Sequence, residues 1–299
     1  MTTRPGFSKT TITLASIVDN HLAIMQGALL RSIQDHHQTA EQIDYYLVTD
    51  NLSEKNKHRL CYRLDKINLI WVDIKDVVPH NVRLPVDKSS FPINVYARLF
   101  IPNIVGEEVE KIIYLDVDMI VLEDISKLWN IDLKGYPVGG VLDRSKTVSS
   151  EWAGISNYKE LGLDPNTGYF NTGLFIIDRH SWNTEKYGEQ IVNCLAANIA
   201  YSSFPINYGM NVVFANRWLE LDSAWNAYAM ENIQKPFIIH FAGRKPIFKT
   251  YDHNQNYKEV FYQYIEKTAW RGFKPVSERN RLLKKLYNKV EKRLQRIFN

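Results

Sequence analysis

Residues 111–115 read KIIYL, a short and nearly all-apolar run that Asp116 and Asp118 bring to an abrupt end. A strand of that composition is buried on both faces, the condition of a central strand in a largely parallel sheet. The surrounding segments fit that requirement. TITLASIV (11–18), IDYYLVTD (43–50) and NLIWVDI (68–74) read as strands, and YPVGGVLD, TGLFIID and KPFIIHF add to the set. Helical spacing follows the first two strands: Leu22, Met25, Leu29, Leu30 and Ile33 after the capping types Asp19 and Asn20, then Leu60, Leu64 and Ile67 within LSEKNKHRLCYRLDKI. After a loop-like stretch at 75–92, INVYARLFIPNI, RHSWNTEKYGEQIVNCLAANI and YGMNVVFANRWL read as helices. The alternation predicts an α/β fold with a sheet covered on both sides. In such sheets ligands bind beyond the carboxyl ends of the strands. Asp116, Val117 and Asp118 stand at that edge.

The 299 residues are 45% hydrophobic and 23% charged, enough for one large domain or two smaller ones. Cys61 and Cys194 are too few and too far apart for a disulfide framework or a metal cluster, which points to a reducing, cytosolic compartment. MTTRPGFSKT carries no apolar core after its basic residues, so a secretory signal is not expected. No apolar run reaches the length of a membrane span. The net charge of +4 hides an asymmetry: from residue 275 onward eight basic residues face two acidic ones, leaving the rest slightly acidic. A nucleic-acid-binding domain is basic across its working face, so nucleic acid is not an expected partner.

An unpaired carboxylate in an apolar setting is costly, so Asp116 and Asp118 need a partner. At i and i+2 of an extended chain both point to one side and can share a hard divalent cation with phosphate oxygens. The alternative is that they only end a strand and cap the next turn. No basic residue nearby in the chain offers itself, which favours a metal.

YARL (96–99), KIIYLDVDMIVLEDISKLWNIDL, GYFNTGLFIID (168–178) and HFAGRKP (240–246) occur in the order seen in glycosyltransferase family 8, which the chain resembles from about residue 11 to residue 250. Those enzymes are retaining and nucleotide-sugar-dependent, and include glycogenin and the bacterial lipooligosaccharide α-galactosyl- and α-glucosyltransferases. The resemblance implies a GT-A fold: a mixed, mostly parallel central sheet flanked by helices. It also implies a Mn²⁺ site, with Mg²⁺ as the substitute, on Asp116, Asp118 and His240. A carboxylate and imidazole set suits Mn²⁺. His240 could instead be a satisfied core histidine. Val117, between the two acids, is expected in the cofactor site, and Gly243 and Lys245 match the diphosphate-contacting loop, which is one residue shorter than in the bacterial relatives. Arg98 matches an arginine near the donor sugar, or else pairs structurally with an acid. Asp143 and Asn171 match groups that bind sugar hydroxyls. Asn20 falls in the nucleotide-binding loop, with His21 where the family often has tyrosine, or merely caps a helix.

Two positions depart from the family. Val18 stands where an acidic residue often binds uracil. Ile206-Asn207-Tyr208 replaces an Asp-Gln-Asp ahead of a helix, so only Asn207 keeps an amide near the reacting carbon. Retention through a covalent intermediate needs a carboxylate nucleophile. Without one in this segment, attack from the leaving-group face is expected.

The expected activity is transfer of galactose or glucose from a UDP-sugar to a cell-surface glycan or lipid-linked saccharide. Its rivals are a binding protein descended from the enzyme and an Asp-x-Asp phosphatase. The expected organisation is a transferase domain at 10–250 and a C-terminal helical region at 251–299. Within the latter, Leu283, Leu286, Tyr287, Val290, Leu294, Ile297 and Phe298 recur at helical spacing among basic residues. A helix of that kind at about 277–299 can lie on an anionic membrane, on the inner face of the cell, or pack on its own domain.

Overall fold

The computed structural model describes residues 11–85 and 92–278. Its strands are β1 (Ile12–Asp19), β2 (Ile43–Asp50), β3 (Ile67–Asp73), β4 (Lys111–Leu115), β5 (Met119–Val121), β6 (Val138–Thr147), β7 (Gly168–Asp178), β8 (Trp218–Glu220), β9 (Ala227–Tyr228) and β10 (Ile238–His240). Its helices are α1 (Ala23–His36), α2 (Glu54–Leu60), α3 (Ile93–Ala97), α4 (Ile125–Trp129), α5 (Arg179–Thr184), α6 (Tyr187–Ala197), α7 (Pro205–Val213) and α8 (Gln255–Ile265). The main sheet runs β3-β2-β1-β4-β7-β6-β8. β3, β2, β1 and β4 are parallel, whereas β7 is antiparallel to both its neighbours. This is the mixed, mostly parallel α/β sheet that the sequence implied. β4 is central, and Ile112, Ile113, Tyr114 and Leu115 are buried on alternate faces, as its composition requires.

Where β4 ends, the ladder continues for one step through a 2.7 Å bond from the Asp116 amide to Gly173 O of β7. The chain then turns, and β5 starts a second sheet, β5-β10-β9. Asp116 to Asp118 is therefore a turn rather than an extended segment. The two carboxylates converge because the backbone folds there, not because alternate residues share a strand face.

α1 lies between the main sheet and the chain's later residues. Leu29, Leu30 and Ile33 join the core beneath the sheet, while Ile24, Met25 and Ala28 pack with Phe241, Phe261 and Ile265. α8 is thereby held against α1. His36 Nε2 lies 2.7 Å from Tyr264 Oη, and Lys267 Nζ 2.8 Å from Asp35. Of the expected C-terminal helix, residues 279–299 lie outside the described residues.

Several boundaries differ from the periodicity. The helix expected over 52–67 ends at Leu60, because Gln34 of α1 takes over the turn: its Nε2 donates to Arg63 O and its Oε1 accepts from the Asp65 amide. Ile67 opens β3 instead. The helix expected over 179–199 breaks at Lys186, whose φ of 53° is left-handed. The one expected over 208–219 starts earlier, at Pro205, and ends at Val213. Trp218 and Leu219 instead enter β8. Neither Asp19 nor Asn20 caps α1, which begins after Leu22 without a side-chain cap. Asp19 Oδ1 accepts from the His21 and Leu22 amides.

Candidate active site

Five segments meet at the carboxyl end of β4. The turn after it supplies Asp116 and Asp118. β7 runs past the end of β4, carrying Thr172 and Asn171. Asp143 sits where β6 loses register with β7, between Leu142 and Thr147. β10 brings His240, because it pairs antiparallel with β5 (His240 opposite Met119) and the Phe241 amide donates 2.8 Å to Asp118 O. The first turn of α7 presents Ile206 and Asn207. Together with Arg98, Gly243 and Lys245 these residues line a cleft of about 600 Å³. A second hollow of about 620 Å³ beside α1 is lined in part by Gln34, Asp65 and Lys66; the Gln34 side chain bonds the Arg63 carbonyl and the Asp65 amide, and Lys66 Nζ donates to His37 O.

One ligand atom each from Asp116, Asp118 and His240 can be chosen so that all lie within 4.8 Å of one another. Each carboxylate also has a basic partner, contrary to the expectation that none was near. Arg98 Nη1 is 3.1 Å from Asp116 Oδ1, which also accepts 3.0 Å from the Tyr114 hydroxyl. Arg98 thus occupies the cleft and makes an ion pair at once, and its guanidinium lies 4.7 Å over the Tyr114 ring. Lys245 Nζ donates to Asp118 Oδ2 and, at 2.9 Å, to Phe241 O. Burial would push the Asp118 carboxyl up, but Lys245 and His240 outweigh it and hold the group ionised, far below the usual carboxylate range. Both partners come from distant parts of the chain, which is why the local sequence concealed them.

His240 is not left to choose its tautomer freely. Its Nδ1 is 2.8 Å from Asn226 Oδ1, so the ring donates there and turns Nε2 toward Asp118, 3.4 Å away. Asn226 in turn donates to Asn171 Oδ1 (2.9 Å), and Asn171 donates to Asp143 Oδ2 (2.8 Å). The Tyr228 hydroxyl reaches the same Asp143 oxygen at 2.8 Å, held protonated by burial and by that carboxylate. A buried line of oriented groups thus joins the metal-type cluster to Asp143. Such partners fix a metal-binding histidine's orientation and basicity. The cluster fits a divalent cation: it offers two carboxylates and an imidazole whose Nε2 is turned toward them. Gly173 leaves the room, since a Cβ there would sit 2.5 Å from His240 Cε1.

Asp143 accepts three hydrogen bonds, counting the Ser145 amide on Oδ1, so about one of a carboxylate's four acceptor positions remains. Asn171 uses both oxygen lone pairs, on Gly173 N and Asn226, and keeps one N–H. One acceptor and one donor side by side suit a hydroxyl-bearing ligand. Asn207 Oδ1 accepts from Thr172 Oγ1 at 2.5 Å. Of its neighbours, Ile206 also faces the cleft, whereas Tyr208 turns away and donates to Asn157.

Other expected residues stand apart. Val117 is buried in the apolar core with its side chain away from the cleft lining. Asn20 is also outside that lining. Its amide donates to Asn51 O and accepts from the Ser53 amide and Asn56 Nδ2, stapling the loops after β1 and β2 together. Gly243 lines the cleft with φ at 85°, a conformation that favours glycine. Asn226 and Tyr228 were absent from the sequence expectations. SAWNAY carries no motif, and only the placement of β9 beside β10 reveals them.

Comparison with known proteins agrees with this architecture. The family model described as glycosyl transferase family 8 matches residues 13–248. General stress protein A of Bacillus subtilis is 26% identical over 279 residues, covering 86% of this chain and 94% of that protein. Among solved structures, the bifunctional glycosyltransferase WbbM superposes with a TM-score of 0.73 at 22% identity, over 90% of this chain and 52% of that one. The galactosyltransferase LgtC, solved in complex with donor and acceptor sugar analogues, gives a TM-score of 0.69 at 19% identity, over 88% of this chain and all of that one.

Proposed function

The chain belongs to glycosyl transferase family 8, with the GT-A type of fold, and from that premise we propose that it moves galactose or glucose from a UDP-sugar to a cell-surface glycan or a lipid-linked saccharide. The observation that supports this reading best is the convergence of Asp116, Asp118 and His240 beside Asp143 and Asn171 in one cleft. Asp116, Asp118 and His240 would hold Mn²⁺, or Mg²⁺ in its place. When bound, the ion supplies Lewis-acid neutralisation of the diphosphate as it leaves.

The protein's own groups have separable tasks. Lys245, on its short loop with Gly243 and paired here with Asp118, would be free to reach phosphate oxygens with a cation held at Asp118. Arg98 sits at the same edge and keeps Asp116 oriented. The remaining acceptor of Asp143 and donor of Asn171 hold hydroxyls of the donor sugar. Asn207 lies beside them, tied to Thr172, and supplies an amide dipole near the anomeric carbon.

Ile206 and Asn207 put no carboxylate at this face of the cleft, and Tyr208 is turned away from it. The reading therefore favours attack by the acceptor hydroxyl on the face that the diphosphate leaves. The C1–O bond to phosphate breaks as the new C1–O bond forms, and the acceptor proton passes to the departing phosphate oxygen. Mass spectrometry that finds a glycosylated protein carboxylate after trapping would overturn this route.

Purified protein screened against nucleotide sugars should hydrolyse UDP-galactose or UDP-glucose slowly when Mn²⁺ is present and stop when it is chelated. No turnover with any donor, with nucleotide still bound, would support the alternative of a binding protein, for which Ile206 in the cleft is the favouring observation. The phosphatase reading loses its ground to the family and the fold. No helix among the described residues is long and apolar enough to cross a membrane. Membrane contact through residues 277–299 rests on their sequence, and their deletion should abolish binding to anionic liposomes.

A further inference from the structure

Seven large apolar side chains are exposed among the described residues, and two of them, Trp152 and Phe204, line the cleft. Trp152 is the most open of the seven at 57%, and Phe204 is 45% exposed. They arrive from different parts of the chain, the loop after β6 and the residue before α7, yet their ring centroids are 6.2 Å apart with planes at 52°. Leaving such rings in water forgoes burial that is worth having, so their retention at a cleft mouth calls for a ligand.

The tryptophan is built in rather than loosely hung. Its carbonyl accepts from Ser145 Oγ at 2.6 Å and from Ser150 Oγ at 3.1 Å. Ala153, immediately after it, is held at a φ of 58°, a strained conformation for a residue with a Cβ. A Cβ on Gly154 would meet Ser150 O at 2.3 Å and Val148 O at 2.6 Å, so the loop admits no slack. The Arg144 guanidinium lies 5.2 Å over the indole and is itself placed 3.7 Å from Glu231.

We propose that Trp152 and Phe204 form the acceptor subsite, and that its occupant is a saccharide whose pyranose ring lays a C–H face against the aromatic pair. This rests on the transferase reading above and names what that reading leaves open. Burial separates the two sugar positions: Asp143 and Asn171, 6% and 9% exposed, are deep beside the metal-type cluster, whereas the two rings stand at the open end. A hexose at the deep end leaves the rings facing the next group along the cleft. That group meets both kinds of surface, because the rings share the cleft with Arg144 and Asn207 as well as with Ala153, Pro205 and Met230. A pyranose suits both: its C–H bonds carry positive charge toward the negative face of an aromatic ring, and its hydroxyls radiate at the rim.

The test is saturation-transfer NMR on the full-length protein with lactose, maltose, cellobiose and N,N′-diacetylchitobiose as probes, beside calorimetry of UDP binding with Mn²⁺. The C–H protons of at least one disaccharide should saturate. Its affinity should fall about five- to tenfold in Trp152→Ala and in Phe204→Ala, and recover largely in Trp152→Phe. Both side chains are solvent-exposed, so neither substitution threatens the core. Disaccharide binding that survives both alanine substitutions overturns the subsite, as does a protein that binds UDP yet no disaccharide. A protein that binds a disaccharide through Trp152 but binds no UDP keeps the subsite and loses the transferase reading instead.

Discussion

Gly173→Ala puts the proposed metal site under the most direct strain. An added Cβ would stand 2.5 Å from His240 Cε1, 2.9 Å from Asn171 Oδ1 and 3.0 Å from Asp116 Oδ2. Ordinary contact begins near 3.4 Å, so the imidazole alone would have to recede by 0.9 Å, the difference from 2.5 Å. It has little room, being tied to Asn226 through Nδ1, stacked on Tyr228 with centroids 5.7 Å apart, and only 3% exposed. Metal–ligand distances tolerate about 0.2 Å. A displacement several times larger should lower Mn²⁺ affinity on the order of 10–100-fold, the range seen when a ligand's supporting partner is removed. Overpacking should also cost about 1–3 kcal/mol of stability. Calorimetry of Mn²⁺ with UDP reads the first effect. Thermal unfolding followed by circular dichroism reads the second and verifies that the variant is folded. A folded Gly173→Ala protein that binds Mn²⁺ and UDP within about twofold of the wild type would refute the assignment of His240 and Asp116 to one ion.

Asn226→Ala should cost about 10–100-fold in Mn²⁺ affinity by releasing His240. Asn226→Asp, which can still accept from His240 but cannot donate to Asn171, should spare metal binding and raise the donor KM instead. Lys245→Met should move two affinities in opposite directions in calorimetry: free Mn²⁺ binds more tightly once no ammonium competes for Asp118, while UDP binds more weakly. Burial holds His36 below its ordinary value of 6.5, favouring the neutral ring that meets Tyr264. The unfolded chain therefore takes up a proton first, and stability falls as pH drops from about 6.5 through the folded value. His36→Gln should show a smaller loss of Tm between pH 7.5 and pH 5.5; an unchanged loss would exonerate this contact.

Much of the fold was legible in short runs of sequence because burial on both faces leaves a local trace. β1, β2, β3 and β4 were recoverable from apolar, β-branched composition, and the end of β4 from its two acids, but not the turn that brings those acids together. Element lengths were less legible. α2 stops where Gln34, from another helix, claims the peptide groups of the following turn. The single helix expected after β7 divides at Lys186, where the backbone turns left-handed.

The sequence by itself determined the alternation of strands and helices, the placing of Asp116 and Asp118 at the end of β4, and the family. Those features are carried by the order of residues along the chain and by side-chain chemistry that needs no partner. Only the tertiary structure decided what neutralises the two acids, since Arg98 and Lys245 reach them from 18 and 127 residues away. It alone decided that Asn226 sets the His240 tautomer and that Tyr208 leaves the cleft. It also brought Trp152 and Phe204 to one rim. Charge, hydrogen bonding and stacking act over a few ångströms of space, and no spacing along the chain encodes which distant residues will share those ångströms.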